Sequence, residues 1–438
     1  MVRRLFFFLT AIALLLTACS DNDSFSTDRS HLLTFSKDTI KMDTMFSAVP
    51  STTYTFWVYN NSGDGIRIAN VRLDRGNQSG FRVNVDGTFL NPVATDLEVR
   101  KGDSIRVFVE VTSHENLQET PQLVEDNLLF TLQSGVVQKM NLRTWAWDAY
   151  KVTDMTVTGD EVIESSKPVV VYGRGINIEK GATLTIKNTT LYFHDGAGIE
   201  VSGKLVTDNV LMRGDRLDHM FAYLPYDRVS GQWGGVVVKP KSDGVEISNS
   251  ELHSSNTALW CDSTMVTLTN TIIHNCKGYG LYAHDSKVAL NKCLISNTLN
   301  DCLSLEGCQA TVDQTTLAQF YPFSANSGAA LRFKYTKQPR SLVCMNTLVT
   351  GYAEDVVFGE GKDPELMSYY FENCVLRTGA VEGSEAIVNV IWEKPSDEIQ
   401  GQKHFIKFDD VNFVYDFRLK EESPAYEHSI GWLGNQQP

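Results

Sequence analysis

A nine-residue pattern that recurs along the second half of the chain limits the available folds more than any other feature. Each copy alternates apolar and polar residues and carries an asparagine at the same position; the first copy is residues 183–191, TLTIKNTTL. The asparagines of the pattern are Asn188, Asn209, Asn249, Asn270, Asn346 and Asn373, and two further copies hold Lys292 and Gln314 instead. Where no insertion intervenes, the copies are about 22 residues apart, which indicates a stack of similar units.

A repeat of this length predicts a parallel β-helix. Its short strands show no helical periodicity, and one unit cannot bury an apolar face alone, whereas stacked units share a continuous core. Asparagine suits the turn because it tolerates a left-handed backbone and its amide can bond to the same turn one coil away. We therefore predict a parallel β-helix over residues 155–432, in which the recurring asparagine is structural.

The segment before the repeats predicts a separate β-sandwich. Over residues 31–150, short runs such as 53–59 and 104–111 alternate apolar and polar residues, and turns that contain glycine or asparagine separate them. About seven short strands in this length are typical of a β-sandwich. The whole chain is thus predicted to be all-β.

The N-terminus carries an export signal. A basic Val2-Arg3-Arg4 precedes a short apolar stretch that ends in Leu16-Thr17-Ala18-Cys19. This ending resembles a bacterial lipobox, which implies that residues 1–18 are a signal peptide, that Cys19 is lipidated and that residues 19–30 form a tether. The following Ser20-Asp21-Asn22-Asp23, which contains two acidic residues, resembles the export signal of Bacteroidetes surface lipoproteins. This resemblance implies an outer-membrane protein exposed at the cell surface, with a periplasm-facing anchor as the alternative.

Net charge and cysteine spacing limit the classes of partner and cofactor that we expect. The formal net charge of −14 argues against nucleic-acid binding. Besides Cys19, seven cysteines lie between Cys261 and Cys374, and we predict buried thiols because no two occupy one column of adjacent repeats. No zinc-site spacing of cysteine and histidine occurs, so we predict neither a metal nor a cofactor.

Two further resemblances concern the folded units. Residues 55–70, with an apolar strand followed by Asn60-Asn61-Ser62-Gly63, resemble immunoglobulin-like modules of the abnormal-spindle/hydin type. Residues 181–186 and 234–238 resemble early coils of right-handed, pectin-lyase-like β-helices, and residues 416–425 resemble the closing coil of bacterial members. The second resemblance implies a right-handed β-helix, but this superfamily includes lyases, hydrolases and adhesins, so it implies no single activity.

Aligning the repeats places one set of outward side chains in a strip. Side chains alternate along the strand that follows each asparagine turn, and successive coils lie about 4.8 Å apart. The strip consists of Lys239, Trp260, Asp262, Tyr282, His284, Glu306, Arg332 and Lys334, all candidate ligand-binding residues. We expect insertions at residues 213–232 and 320–326 to border the strip, and the first offers Tyr223, Tyr226 and Arg228 as candidate loop contacts.

Three functions remain open for this strip. Its aromatic and polar side chains suit a sugar, so the first hypothesis is a non-catalytic glycan-binding or scaffolding protein. The second is a polysaccharide lyase or glycoside hydrolase, with Lys334 or His284 as base and Asp262 or Glu306 as acid or metal ligand; Ca²⁺ is expected only for a lyase. The third is a structural or adhesive surface protein with an ordinary ladder of alternating charges. No catalytic residue is assigned, and the partners are the membrane and a polysaccharide or another surface protein.

Overall fold

A computed structural model describes residues 24–335, 340–361 and 367–434. The chain forms two compact units, Met1–Asp148 and Ala149–Pro438. The predicted signal peptide and Cys19 lie outside the described residues. Within the described ranges, no helix combines the length and the apolar character needed to cross a membrane.

The first unit consists of two sheets that share one core. One sheet has the strand order β1-β4-β9-β6-β7, the other β2-β11-β10-β5-β8, with β3 paired to β11. Buried residues of both sheets, such as Val58, Val107 and Phe130, form a single cluster. The strands are β1 Leu33–Phe35, β2 Thr39–Lys41, β3 Met45–Phe46, β4 Tyr54–Asn60, β5 Ile66–Leu73, β6 Phe81–Val85, β7 Thr88–Phe89, β8 Val93–Val99, β9 Ser104–Val111, β10 Gln122–Leu132 and β11 Val137–Trp147. The immunoglobulin-like assignment of this unit stays a prediction.

The second unit is a long parallel sheet wound into a right-handed β-helix, as predicted. Its first strands are β12 Tyr150–Val157, β13 Asp160–Glu164, β14 Val169–Ile178, β15 Thr183–Phe193, β16 Gly198–Val201, β17 Lys204–Gly214, β18 His219–Phe221, β19 Leu224–Pro225, β20 Gly235–Val238, β21 Gly244–Ser248, β22 Glu251–His253, β23 Leu259–Asp262, β24 Met265–Thr269, β25 Ile272–Cys276 and β26 Leu281–His284. The remaining ones are β27 Lys287–Asn291, β28 Leu294–Thr298, β29 Leu303–Glu306, β30 Gln309–Asp313, β31 Thr316–Gln319, β32 Leu331–Tyr335, β33 Arg340–Met345, β34 Leu348–Gly351, β35 Val357–Gly361, β36 Met367–Glu372, β37 Val375–Leu376, β38 Ile387–Val388, β39 Ile391–Trp392, β40 Phe405–Asp409 and β41 Val414–Leu419. Short helices are 3-10 turns at Gly76–Ser79, Tyr226–Arg228 and Gly401–His404, and an α-helix at Pro424–Glu427.

Each coil from β21 to β35 contributes three strands, because β21 pairs with β24, β22 with β25 and β23 with β26, and so on; β36 with β37, and β38 with β39, then add two strands a coil. We call the resulting columns the first face (β21, β24, β27, β30, β33, β36), the second face (β22, β25, β28, β31, β34, β37) and the third face (β20, β23, β26, β29, β32, β35). The repeat pattern had identified the first and third faces as strands. The second face, which immediately follows the asparagine turn, was not recognised as a strand of its own.

The recurring asparagine occupies the corner between the first and second faces. Its φ lies between 47° and 55° in all six copies, and Lys292 and Gln314 keep this left-handed backbone with φ of 54° and 47°. Hydrogen bonds between asparagine side chains link neighbouring coils; for example, Asn270 Nδ2 donates to Asn249 Oδ1 at 2.8 Å. The predicted structural role is therefore confirmed, since the backbone conformation and the inter-coil bond are both present.

The seven cysteines after Cys19 are all free and buried, as predicted. Burial raises the pKa of Cys276 to about 11 and acts in the same direction on the pKa of Cys293. The thiols therefore stay protonated at neutral pH and pack as small apolar groups in the core of the β-helix.

The C-terminal segment does not add a closing coil, although its resemblance implied one. Strands β40 and β41 form an antiparallel hairpin, which we call the closing hairpin. Phe405 and Phe417 of this hairpin pack with Leu294 and Leu348, which lie on the second face. The reason is physical: outward apolar side chains of the second face need cover from water, and the hairpin supplies it.

Candidate functional site

The third face carries the predicted strip in the predicted register. Trp260, Tyr282, Ser304 and Arg332 are Cα partners on successive coils, and so are Asp262, His284, Glu306 and Lys334. Lys239 follows directly after the end of β20. The strip is thus one continuous outward surface, because neighbouring strands in register place like-numbered side chains side by side.

Aromatic rings form a cluster in the strip, in which Trp260 is the exposed member. The Trp260 ring stacks on Tyr282 with a centroid distance of 4.2 Å and an interplanar angle of 27°. The ring centroid of Tyr279, in the turn before β26, lies 5.2 Å from that of Tyr282 and 6.2 Å from that of Trp260. Tyr279 was not among the residues predicted from the sequence. Trp260 remains 41% exposed, which is a large fraction for tryptophan. We call these three residues the aromatic cluster.

The polar residues beside the aromatic cluster bond to one another. His284 Nδ1 lies 3.0 Å from Asp262 Oδ1, and the Tyr282 hydroxyl donates to Glu306 Oε2 at 3.0 Å. The hydrogen bond with Asp262 raises the pKa of His284, and the same bond lowers the pKa of Asp262. Burial and the Glu306 carboxylate raise the pKa of Tyr282, so its hydroxyl stays protonated.

Charged residues at the two ends of the strip are also paired. Arg332 Nε lies 3.0 Å from Asp301 Oδ2, and its guanidinium contacts Glu360 at 2.5 Å. Lys239 Nζ lies 3.0 Å from Glu200. Glu200, Asp301 and Glu360 are not members of the predicted ladder of alternating charges, and an exposed pair such as Lys239 with Glu200 contributes roughly 0–1 kcal/mol.

The three candidate loop residues make their contacts within the insertion or with the closing hairpin. Tyr223 stacks on Phe221 at 5.7 Å, and the Tyr226 ring lies 3.9 Å from the Arg216 guanidinium. Arg228 donates to the Asn412 carbonyl at 2.6 Å. These contacts hold the insertion against its own strands and against the C-terminal segment.

The two insertions meet each other beside the second face, rather than standing apart at the two ends of the strip as expected. Ser230 Oγ lies 2.7 Å from the Tyr321 hydroxyl, and the ring of Phe323 stacks on Phe413 of the closing hairpin at 5.0 Å. Both insertions leave the helix between the second and third faces, and the apolar hairpin on the second face draws them to that side.

A cleft of about 420 Å³ lies where the first insertion, the second face and the closing hairpin meet. Its lining includes Asp227, Glu251, His274, Ser296, Asp416 and Arg418. We call it the second-face cleft. It combines acidic, basic and imidazole groups in one concave site, which is the usual form of a small-ligand site.

Sequence reasoning missed the histidines of this cleft, although a signal existed. His253 and His274 each follow a recurring asparagine by four residues, which places them in one register column of the second face. Their rings stack at 4.8 Å, and His274 Nε2 lies 2.9 Å from Glu251 Oε1. Burial acts to raise the pKa of Glu251, but the hydrogen bond and charge of His274 outweigh it and lower this pKa to about 2. Burial holds the pKa of His253 well below its usual value.

A serine, a histidine and a glutamate also meet in the C-terminal segment, in the order of a hydrolase triad. His404 Nδ1 lies 2.7 Å from Ser423 Oγ, and His404 Nε2 lies 3.4 Å from Glu393 Oε2. All three are buried, and Ser423 caps the helix Pro424–Glu427 by accepting from the Ala425 amide. A nucleophile must be open to substrate, so this group is structural.

The comparisons with known proteins support the fold and not an activity. A family model described as a right-handed β-helix region matches residues 227–335. No curated protein matches the chain.

Three solved structures illustrate how distant the structural likenesses are. A family 123 glycoside hydrolase from Clostridium perfringens is 6% identical over 27% of this chain and 26% of its own, with a TM-score of 0.19. The VesB protease of Vibrio cholerae is 12% identical over 27% of this chain and 33% of its own, with a TM-score of 0.18. The catalytic unit of a GH87 α-1,3-glucanase from Streptomyces thermodiastaticus is 10% identical over 77% of this chain and 87% of its own, with a TM-score of 0.23. At these TM-scores none of the three carries an argument about this chain.

Proposed function

We propose that the protein is a lipid-anchored outer-membrane protein that binds carbohydrate without catalysing its cleavage. The binding surface is the aromatic cluster on the third face, together with the neighbouring polar residues of the strip. One observation supports this proposal above the others: Trp260 is 41% exposed although it sits in a rigid sheet, stacked on Tyr282. What distinguishes Trp260 from singly exposed residues such as Trp57 is its contact with two further aromatic rings, and contiguous apolar surface of this kind marks ligand-binding sites.

The chemistry of the cluster suits a sugar. Aromatic side chains present an apolar face and, in tyrosine, a polar tip, which match the apolar C–H face and the hydroxyls of a pyranose ring. Asp262 and His284 lie beside Trp260 and Tyr282 in register and can exchange hydrogen bonds with those hydroxyls. Because β-strands hold all four side chains, little ordering entropy is lost on binding.

The strip lacks support for the alternative of an enzyme. Asp262 and Glu306, its two candidate acids, are engaged by His284 and Tyr282 and stand two coils apart, about 10 Å. That spacing exceeds the separation of about 5 Å that retaining glycosidases use, and it is at the limit for inverting ones. An ultraviolet assay for unsaturated uronate products, with and without Ca²⁺, would detect a lyase and overturn the non-catalytic proposal.

Replacing Trp260 and Tyr282 together with alanine should lower glycan affinity about tenfold or more, because aromatic anchors commonly dominate such interfaces. A glycan array of bacterial and plant polysaccharides identifies the ligand for the unchanged protein, and calorimetric titration then measures its affinity for both proteins. The matched control is Trp57→Ala, since Trp57 is also 41% exposed but lies in the first unit.

The control variant should bind as the unchanged protein does. Equal affinity of the Trp260→Ala/Tyr282→Ala variant would remove the aromatic cluster as the site. If no glycan on the array binds the unchanged protein, the structural or adhesive role takes the place of this proposal.

The membrane anchor is a separate part of the proposal and rests on the lipobox-like residues 16–19. Cells that are fed an alkyne fatty acid should label the protein, and Cys19→Ser should abolish the label. Labelling that persists in the Cys19→Ser variant would contradict the anchor. Protease shaving of intact cells distinguishes surface exposure, which we propose, from the periplasm-facing alternative.

A further inference from the structure

A set of side chains with the chemistry of a transition-metal site lies at the second-face cleft, with Glu251 and His274 in its lining and His253 stacked beside His274. Glu251, His253 and His274 each offer one ligand atom, and these atoms lie within 4.8 Å of one another. Glu251 and His253 stand on opposite ends of β22, and His274 is the register partner of His253 on β25. We propose that these three residues bind a first-row transition-metal dication such as Zn²⁺, with Asp227 of the first insertion as fourth ligand.

The hydrogen bonds of His253 leave one ring nitrogen free to bind a cation. The Ser254 hydroxyl donates to the Asp227 carbonyl at 3.0 Å, so toward His253 Nδ1, 2.9 Å away, it can only accept. Nδ1 therefore carries the proton of the neutral ring, and the lone pair is on Nε2. Such a bond on the far nitrogen is the usual way in which proteins orient a metal-binding histidine.

The surroundings of that lone pair call for a positive charge. His253 Nε2 lies 3.6 Å from Asp227 Oδ1, so the lone pair of the buried imidazole faces a carboxylate oxygen of a half-exposed side chain. Arg213 contacts Asp227 at 2.5 Å, and His274 contacts Glu251 at 2.9 Å, so two carboxylates and two imidazoles lie together with one guanidinium. A dication between the imidazoles and the carboxylates would stabilise the whole group.

A second observation points into the same cleft. Ser296 follows His274 in register on the next coil, and Asn297 is its neighbour. Both residues line the cleft and are 0% and 1% exposed, yet Ser296 Oγ and Asn297 Oδ1 have no hydrogen-bond partner among the described residues. Buried polar atoms normally find a partner, so these two leave hydrogen-bonding capacity in the cleft for water or for a ligand beside the cluster.

The ligand set selects the kind of metal. Two imidazole nitrogens with one or two carboxylates suit Zn²⁺ and its first-row neighbours, whereas Ca²⁺ and Mg²⁺ require oxygen ligands. This site is on the second face and is independent of the carbohydrate surface proposed on the third.

Metal titration of the full-length protein tests the proposal. After treatment with a chelator, the protein should bind one equivalent of Zn²⁺ or Co²⁺ in competition with a chromogenic chelator, and Co²⁺ should show visible bands of nitrogen ligation. Ca²⁺ should not compete. His274→Gln and Glu251→Gln should each weaken Zn²⁺ binding about tenfold or more. Both side chains are partly exposed, 25% and 41%, so the variants should fold.

His194→Gln is the matched control, because His194 also lies close to a carboxylate, with Nδ1 2.7 Å from Asp215 Oδ2, but belongs to neither proposed site. It should bind Zn²⁺ as the unchanged protein does. Zn²⁺ should also raise the thermal unfolding midpoint of the unchanged protein and of the control. The rise should be much smaller for His274→Gln. The proposal is overturned if the protein takes up no stoichiometric Zn²⁺, or if His274→Gln and Glu251→Gln bind it with unchanged affinity.

Discussion

Replacing Glu393 with glutamine should lower the free energy of unfolding of the second unit by about 3–5 kcal/mol, the usual cost of breaking a buried ion pair. The Glu393 side chain is only 2% exposed and lies 2.5 Å from the Arg377 guanidinium. Its carboxylate also accepts from Thr350 Oγ1 at 2.8 Å and from the Gly401 amide. Glutamine keeps the shape but leaves the Arg377 charge buried without its counter-charge.

Calorimetric unfolding of the full chain measures this effect, with Glu398→Ala as control. Glu398 is exposed, so its replacement should change the free energy of unfolding by less than about 0.5 kcal/mol. Adding Arg377→Met to Glu393→Gln should restore part of the loss, because no unpaired charge then remains. A Glu393→Gln variant as stable as the unchanged protein would show that the buried pair does not hold the C-terminal segment.

The pH dependence of the Glu393 effect follows from its pKa. Burial acts to raise this pKa, but the hydrogen bonds and the nearby histidine outweigh burial and lower it from the ordinary value of 4.5. A carboxyl group with a lowered pKa in the folded state stabilises the protein above its ordinary pKa, and this contribution disappears as the pH falls through the folded-state value. The difference between Glu393→Gln and the unchanged protein should therefore shrink below pH 4.5.

Replacing Trp233 with alanine should cost about 3–5 kcal/mol, as is usual for a large aromatic side chain in a packed core. Trp233 is fully buried and stacks on Phe193 with a centroid distance of 4.4 Å and an interplanar angle of 10°. Its Nε1–H donates to the His253 carbonyl at 2.8 Å. It therefore joins the base of the first insertion to the second face.

Trp233→Phe separates the two contributions of this side chain. Phenylalanine keeps the stack on Phe193 but leaves the His253 carbonyl without its donor, so the loss should be about 1–3 kcal/mol. Denaturant unfolding of both variants gives the comparison. Equal losses for Trp233→Phe and Trp233→Ala would show that the hydrogen bond, and not ring packing, carries the stabilisation.

The coil register could be predicted from the sequence because its cause is local. A left-handed backbone at one residue is easily reached by asparagine, and this requirement recurs at every coil whatever the neighbouring loops do. Counting from Asn270 therefore placed Tyr282 and His284 beside the correct residues of the next coils. Lys292 and Gln314 did not disturb the count, since each keeps the same backbone conformation.

The second-face cleft could not be predicted in the same way. His253 and His274 share a column, but their pairing with Asp227 depends on the fold of an insertion that has no repeat to align. The cleft also needs the closing hairpin, which packs on the second face through contacts with apolar residues as distant in the chain as Leu294. Tyr279 was missed for a similar reason: it lies in a turn, outside the alternating strand pattern.

By itself, the sequence determined an all-β chain with a right-handed β-helix, buried thiols and a strip of outward aromatic and charged side chains. These features follow from periodicity and from backbone preferences, which act over a few residues and repeat with each coil. Only the tertiary structure decided that the two insertions meet and that a hairpin covers the second face. It also decided that Glu251, His253 and His274 converge in a cleft. Those contacts join distant segments whose meeting no local preference specifies.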